Sequence, residues 1–404
     1  MEFIPNHEES ILISSIQNYS RNEFTLVRLT RTMLDKSIID ANSEIVNLLK
    51  KYDILNYDEL VDGLKIYRNS LISLANEVRE VKTSFYRPKA KPKKPGDPRF
   101  WPSKLGGLLA VDTMMYITVQ DSSLVIIPLV ESACENNLLE DIFGKLEDYT
   151  DSYNEILVEL ASIQDKWIKS CSPYKRHHKD VGDTLEEYFQ IPVNNSGKAD
   201  YKEEIEFKSK RRKSKTKDTL FSQVPDWELS TIKSAKSMIL TYGYNSRHKN
   251  RQGYKDLYVS VTTKPNPQGL YLETDDVSML LRQFYTGDDK NSMKPIDPCV
   301  WEYEILKSRL YEKHPKTMWV VADEEVINGE IHFRYNSVEF TERPIFSQFI
   351  SLIDQNIICY DWRGSREIDG KGREDKGHAF RLNSAKNRKL LFGEVQKIDL
   401  CEFS

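Results

Sequence analysis

An α/β domain with a mixed sheet over residues 173–404, preceded by a mainly helical region that carries a β hairpin, is expected from three features of this 404-residue sequence. Apolar residues recur at intervals of three and four up to about residue 82. A Pro/Lys-rich segment interrupts the chain at 87–98, and beyond residue 173 short helical stretches alternate with runs of β-formers. The length exceeds what one ordinary core organises, so more than one domain is expected.

In the region 1–86 the helical spacing is carried by Ile11, Ile13 and Ile16, then Ile45, Leu48 and Leu49, then Leu60, Leu64, Ile66, Leu71 and Leu74. Between Arg87 and Pro98 five basic residues and four prolines fall in twelve positions, a composition that forms no helix and favours an extended, exposed path. It reads as a linker or as a basic arm that follows phosphates, with the linker favoured. Residues 99–172 then supply a hairpin, Met115–Val119 and Leu124–Ile127 around Asp121-Ser122-Ser123, and a long amphipathic helical stretch from Leu138 to Ile168. Past Pro173 the strands include Leu257–Val261, Gly269–Leu272 and Met318–Val321, and Asn328-Gly329 marks a two-residue hairpin turn.

Charge and cysteines narrow the classes. With 58 basic and 62 acidic residues the net charge is -4, so any polyanion-binding surface must come from local segregation of charge. The five cysteines form no C-x-x-C pair, which fits a reduced, cytoplasmic protein. An acidic N-terminus and the lack of any apolar run near 18 residues argue against secretion and membrane spanning. No G-x-x-x-x-G-K-[ST] or G-x-S-x-G occurs, so no nucleotide cofactor is expected. His177 and His178 have no partner at ligand spacing, and Trp301, Trp319 and Trp362 read as core or interface cover.

Chemistry concentrates between Gly182 and Arg211. If Ile205–Ser209 is a strand, Glu206 and Lys208 share a face, and Asp200 can enter from the preceding turn. Two carboxylates and a lysine on one face suit metal-dependent phosphodiester hydrolysis: oxygen ligands for Mg²⁺ and an amine beside the attacking water. The D-x₅-E-x-K pattern alone is weak. Asp183-Thr184-Leu185-Glu186 taken alone also makes a good capping box.

The surrounding landmarks are more specific. Thr184-Leu185-Glu186, Glu206–Arg211, Leu220-Phe221-Ser222, Lys264-Pro265-Asn266 with Gly269-Leu270, Tyr335-Asn336-Ser337, Gly377–Leu382 and Phe392–Val395 occur in this order. In this the chain resembles the MvaI/BcnI family of type II restriction endonucleases and, more distantly, the MutH nicking enzymes, all of the PD-(D/E)XK fold. The resemblance implies a site-specific endonuclease that hydrolyses double-stranded DNA with Mg²⁺, leaves a 5′-phosphate and a 3′-hydroxyl, and works as a monomer that nicks one strand and then the other. It implies that Asp200 and Glu206 bind the metal, that Lys208 assists the water, and that Glu186 completes the acidic site. Two departures stand out: Ala199 replaces a frequent proline, and the Asp200 to Glu206 spacing is one residue longer than in the family's type member.

Seven cations lie among the ten residues from Lys208 to Lys217, and Lys210, Arg211 and Arg212 are expected at DNA phosphates. Base reading is expected from the C-terminal stretch, where the resemblance implies roles for Asp361, Arg363 and Arg381, with Glu374, Asp375 and Lys376 beside them. Cations can pair with guanine O6 and N7, and carboxylates can accept from cytosine N4. The family's type member has two histidines flanking an aspartate where this chain has Glu374-Asp375-Lys376. Two other readings compete: a MutH-like repair enzyme that cuts one strand, and a DNA-binding protein without catalysis in which the longer spacing misplaces a ligand.

Overall fold

The computed structural model describes residues 4–20, 22–89, 96–145, 151–192, 197–287, 294–369, 372–375 and 377–403. The chain divides into two compact units, Met1–Asp148 and Tyr149–Ser404.

The first unit contains α1 (His7–Tyr19), β1 (Phe24–Arg28), α2 (Arg31–Lys36), β2 (Ile39–Asp40) and α3 (Ser43–Lys51). It continues with β3 (Ile66–Leu74), β4 (Glu77–Tyr86), β5 (Arg99–Pro102), α4 (Leu105–Leu108), β6 (Met114–Gln120), β7 (Ser123–Pro128) and α5 (Asn136–Phe143). Its seven strands form one sheet in the order β1-β6-β7-β3-β4-β5-β2. The mainly helical region expected over 1–86 is therefore corrected: a sheet organises it. Residues 66–86, assigned to helix from the spacing of Ile66, Leu71 and Leu74, are a hairpin whose turn holds Asn76 at φ 72. The pairing of β3 with β7 and of β4 with β5 closes Ile72, Val81, Phe85 and Phe100 into one core. Partners outside the hairpin, 54 residues on in β7 and 13–19 residues on in β5, decide the conformation here, as such pairing commonly overrides a weak local period.

The Pro/Lys-rich segment is corrected as well. Tyr86 pairs with Arg99 across adjacent antiparallel strands, so 87–98 is an excursion between neighbours in one sheet and links no two domains. Residues 90–95 lie outside the described residues. The expected hairpin at 115–127 is present, and Asp121 and Ser122, at φ 46 and 58, supply its two-residue turn.

The second unit opens with α6 (Asp151–Ile163), β8 (Ile168–Lys169), α7 (Asp180–Tyr188), β9 (Glu206–Arg211), β10 (Asp218–Ser222) and α8 (Ala235–Tyr242). Next come β11 (Tyr244–Asn245), β12 (Tyr254–Val261), β13 (Leu270–Asp275), β14 (Leu280–Tyr285), β15 (Cys299–Glu302) and α9 (Tyr303–Lys313). The chain ends with β16 (Thr317–Ile327), β17 (Glu330–Thr341), α10 (Phe346–Asp354), β18 (Ile358–Glu367), β19 (Arg373–Asp375), β20 (Ala379–Leu382), α11 (Arg388–Phe392) and β21 (Gln396–Ile398). The long helical stretch expected from Leu138 to Ile168 is two helices, α5 and α6. The second buries Ile156, Leu157 and Leu160 against Phe207, Met318, Val320 and Phe340, so it belongs to the second unit and the division falls before residue 173.

Two sheets frame this unit. One runs β21-β17-β16-β9, with β8 on β17, and its β9 and β16 are parallel; the other runs β10-β20-β18-β12-β11, with β19 on β18. Asn328 and Gly329, at φ 53 and 82, make the expected β16–β17 turn. Trp301, Trp319 and Trp362 are fully buried, as expected of core residues. Arg388 is also buried: its guanidinium lies 3.9 Å from the Trp319 ring centroid and bridges Asp218 (2.8 Å) and Glu339 (2.8 Å), tying α11 to both sheets. Arg388→Met leaves the buried Asp218 with Lys210 as its remaining cation and is expected to cost about 3 kcal/mol in urea unfolding. A loss below about 1 kcal/mol would show that the pair contributes little to the fold.

Candidate active site and reading face

Helix α7 begins at Asp180 with Lys179 as its N-cap, so Glu186 sits well inside the helix and the capping box that the local sequence suggested does not form. Glu186 is half-buried and faces the carboxylates. Burial pushes its acid upward, reinforced by the charges of Asp200 and Asp183 and opposed by Lys208 and Lys313.

Asp200 precedes a tight turn in which Lys202 and Glu203 take left-handed φ of 50 and 62 while Tyr201 N–H donates to the Ile205 carbonyl at 2.9 Å. The turn absorbs the longer spacing. Asp200 still reaches the strand, where its Oδ2 accepts from the Phe207 N–H at 3.3 Å. Glu206 opens β9 fully buried, and Lys208, two residues on, places its Nζ on Glu206 Oε1.

One member was absent from the sequence reading. Lys313, at the end of α9, lies 2.8 Å from Asp200 Oδ1 and 2.7 Å from Glu206 Oε2, bridging the two carboxylates. Its position follows from register: parallel pairing sets Thr317 of β16 beside Glu206, so the last turn of the helix entering β16 arrives at the start of β9. No local motif marks it. Only the pairing of β9 with β16 could have revealed it.

The electrostatics follow from this packing. Burial pushes Glu206 up to about 7 against the pull of Lys208 and Lys313. Asp200 is also driven upward by burial, but Lys208 and Lys313 outweigh that and hold it below the usual carboxylate range. The neighbouring His314 is wholly enclosed: its Nε2 donates to the Leu220 carbonyl (2.8 Å) and its Nδ1 accepts from the Thr317 hydroxyl (2.9 Å). Burial, with Lys208 adding repulsion, pushes this imidazole down to about 3 from 6.5. Because the folded value is the lower one, the unfolded chain takes up the proton first, and stability declines as pH falls from 6.5 toward 3. At pH 5 the loss from this residue is expected to be about 2 kcal/mol. The drop in Tm between pH 7 and pH 5 should therefore be smaller in His314→Gln; equal drops would reject the assignment.

Among the described residues no group of three or more His, Cys, Asp or Glu side chains is gathered at metal-binding range. Two carboxylates nevertheless suit Mg²⁺, which keeps several waters and needs only one or two protein carboxylates. Their buried charge, balanced here by an ammonium between them, is what a hard divalent cation would also balance.

The expected DNA contacts divide. Lys210 pairs with Asp218 (3.0 Å), and Arg212 bonds Asp323 and Asn336, each at 2.6 Å. Arg211 is held by Asp180 and Glu324 and lies against Phe333, so its guanidinium pins α7 to the sheet and does not face outward as the sequence suggested. Exposed cations in this run include Lys213 and Lys215.

On the second sheet Asp361 and Arg363 in β18 and Arg381 in β20 lie on one face. Arg381 Nη1 bonds Asp361 Oδ2 at 3.1 Å, while Asp361 Oδ1 receives Ser260 (2.7 Å) and Lys217 (3.0 Å). Lys217 and Ser260 were not singled out from the sequence. Glu374 and Asp375 lie on β19, in register with Ser365 and Gly364; Lys376 lies outside the described residues.

A mixed sheet whose edge strand opens on a buried glutamate, with a lysine two residues on and an aspartate delivered by the preceding turn, has the fold of a restriction-endonuclease-like protein. The chain belongs to the MvaI/BcnI restriction endonuclease family, whose model matches residues 157–392, and is thereby a site-specific DNA endonuclease. A solved structure described as a restriction endonuclease MvaI–cognate DNA substrate complex shares the fold at 21% identity and a TM-score of 0.51. That match covers 62% of this chain and all of the other. MvaI in the absence of DNA matches at 19% identity and a TM-score of 0.38, over 63% of this chain and all of the other. No curated protein matches. Among the described residues no helix is long and apolar enough to cross a membrane.

Proposed function

We propose that the chain is a type II restriction enzyme that binds double-stranded DNA, hydrolyses its phosphodiester bonds with Mg²⁺, leaves 5′-phosphate and 3′-hydroxyl ends, and acts as a monomer. The observation that carries this reading is the convergence of Asp200, Glu206 and Lys208 at the start of β9 with Lys313 across both carboxylates. The MvaI–DNA complex, a protein of the same fold with its cognate DNA, supports duplex DNA as substrate.

Asp200 and Glu206 hold the metal. When bound, Mg²⁺ neutralises the scissile phosphate and stabilises charge developing on the leaving oxygen. Lys208 hydrogen-bonds the attacking water and orients it toward phosphorus, and Glu186 closes the acidic side of the site. The water gives up one proton to a neighbouring water as its oxygen bonds to phosphorus and the P–O3′ bond breaks; the phosphate stays on the 5′ end and the 3′ oxygen takes up a proton from a second water. Asp361, Arg363 and Arg381 read base edges, with Glu374, Asp375 and Lys376 beside them. Lys210 and Arg212 follow the backbone by exchanging their present partners for phosphate.

Incubating the protein with a long DNA of known sequence, with Mg²⁺ or with EDTA, and sequencing the ends tests this directly. Discrete ends sharing one short motif, seen only with Mg²⁺, are expected. Intact DNA, or ends scattered without a motif, would reject the reading.

A further inference from the structure

A cavity of about 710 Å³ opens beside the reading face, between β12 and the segment 244–248. Its walls include Tyr244, Tyr258, His248, Arg247, Asp256 and Ser260. The volume falls within the range of small-molecule sites, about 300–1,000 Å³.

Asp256, Tyr258 and Ser260 alternate along β12 and so share one face, opposite Ser365, Arg363 and Asp361 of β18. The cavity is thus continuous with the base-reading residues, through the 2.7 Å hydrogen bond from Ser260 to Asp361. Its chemistry is graded from floor to rim. Asp256 is 3% exposed, and its Oδ1 accepts from the hydroxyl of the fully buried Ser365 at 2.6 Å. A carboxylate this deep calls for more donors than one hydroxyl. Tyr244 and Tyr258 offer flat apolar surface beside it, and the exposed Arg247 brings a cation to the lining.

A deep acceptor, aromatic walls and a cationic rim together match one nucleotide, base inward and phosphates outward. We propose that this cavity receives a single nucleobase turned out of the bound duplex, one with an exocyclic amine (cytosine, adenine or guanine) that donates to Asp256. Tyr258 supplies stacking surface in place of the lost neighbours, and Arg247 holds the adjoining phosphate. Thymine, which offers a ring N3–H but no exocyclic amine, is the poorer match. The inference rests on duplex DNA being the substrate.

The test uses the full chain in EDTA and duplexes containing its site, defined by the mapped ends or by the fragments it selects. 2-Aminopurine, which brightens when unstacked, replaces each base of the site in turn. A several-fold rise on binding is expected at one position or its immediate neighbour, lost in Tyr258→Leu and weakened in the exposed Arg247→Ala at equal occupancy by anisotropy. Should Tyr258→Leu not fold, Arg247→Ala decides. Bound duplexes that stay dark at every position, or a rise unchanged in the variants, would overturn the pocket while leaving the nuclease intact. A chain that binds no duplex at all would overturn the nuclease reading instead.

Discussion

Lys208→Ala is expected to lower the cleavage rate by about 10²–10⁴-fold, the span that a positioned acid–base group contributes. Binding to DNA in EDTA should be unchanged. The reasoning begins with strand geometry: Lys208 shares the face of Glu206, and its ammonium rests on Oε1 of that carboxylate. It is about one-quarter exposed, so it can turn toward a water at the phosphate, whereas Glu206 is fully buried. The lysine also helps keep Glu206 ionised against the burial that pushes it up to about 7. Under the proposed mechanism its removal takes away a hydrogen bond to the nucleophile, and it makes the Glu206 carboxylate easier to protonate. Both losses fall on the chemical step. Wild-type cleavage by the variant would remove Lys208 from the mechanism, and a parallel loss of binding would make it a phosphate contact.

Lys313→Met should show the second large effect, and on stability as well as rate. The lysine is held by two carboxylates, at 2.8 and 2.7 Å, and its own burial is outweighed by their charges, which raise its proton affinity. Without it Asp200 and Glu206 stand side by side with Lys208 as their remaining cation, and breaking a buried pair of this kind costs about 3–5 kcal/mol. Added Mg²⁺ should recover part of that loss, since a ligand that binds only the folded state stabilises it. The expected result is a lower Tm for the variant in EDTA and a larger rise with Mg²⁺ than in the wild type. Equal rises in the two proteins would mean that Lys313 and the cation do not share the carboxylate pair.

Much of the site could be read along the chain because its parts lie close in sequence. Glu206 and Lys208 are two residues apart on a strand, and period-two geometry alone puts them on one face. Asp200 lies in the turn just before, and Glu186 in the helix before that, so the ordered landmarks from Thr184 to Val395 sufficed to name the family. The hairpins at Asp121-Ser122 and Asn328-Gly329 were equally plain, since turn chemistry is local.

What the linear order left open depended on distant partners. Residues 66–86 carry an apolar spacing compatible with helix, and they became strands because β5 and β7 were available to bury Ile72 and Phe85. Whether Glu186 closes a capping box turned on where α7 starts, and Lys179 holds that place. Arg211 looked like one cation in a basic run until Asp180 and Glu324 closed around it. Lys313 lies beside Asp200 and Glu206 because parallel strands 111 residues apart in sequence fix the register of Thr317 against Glu206. Local rules follow backbone geometry over a few residues. Charge pairing across sheets follows from which surfaces the core brings together, and no short window of sequence records that.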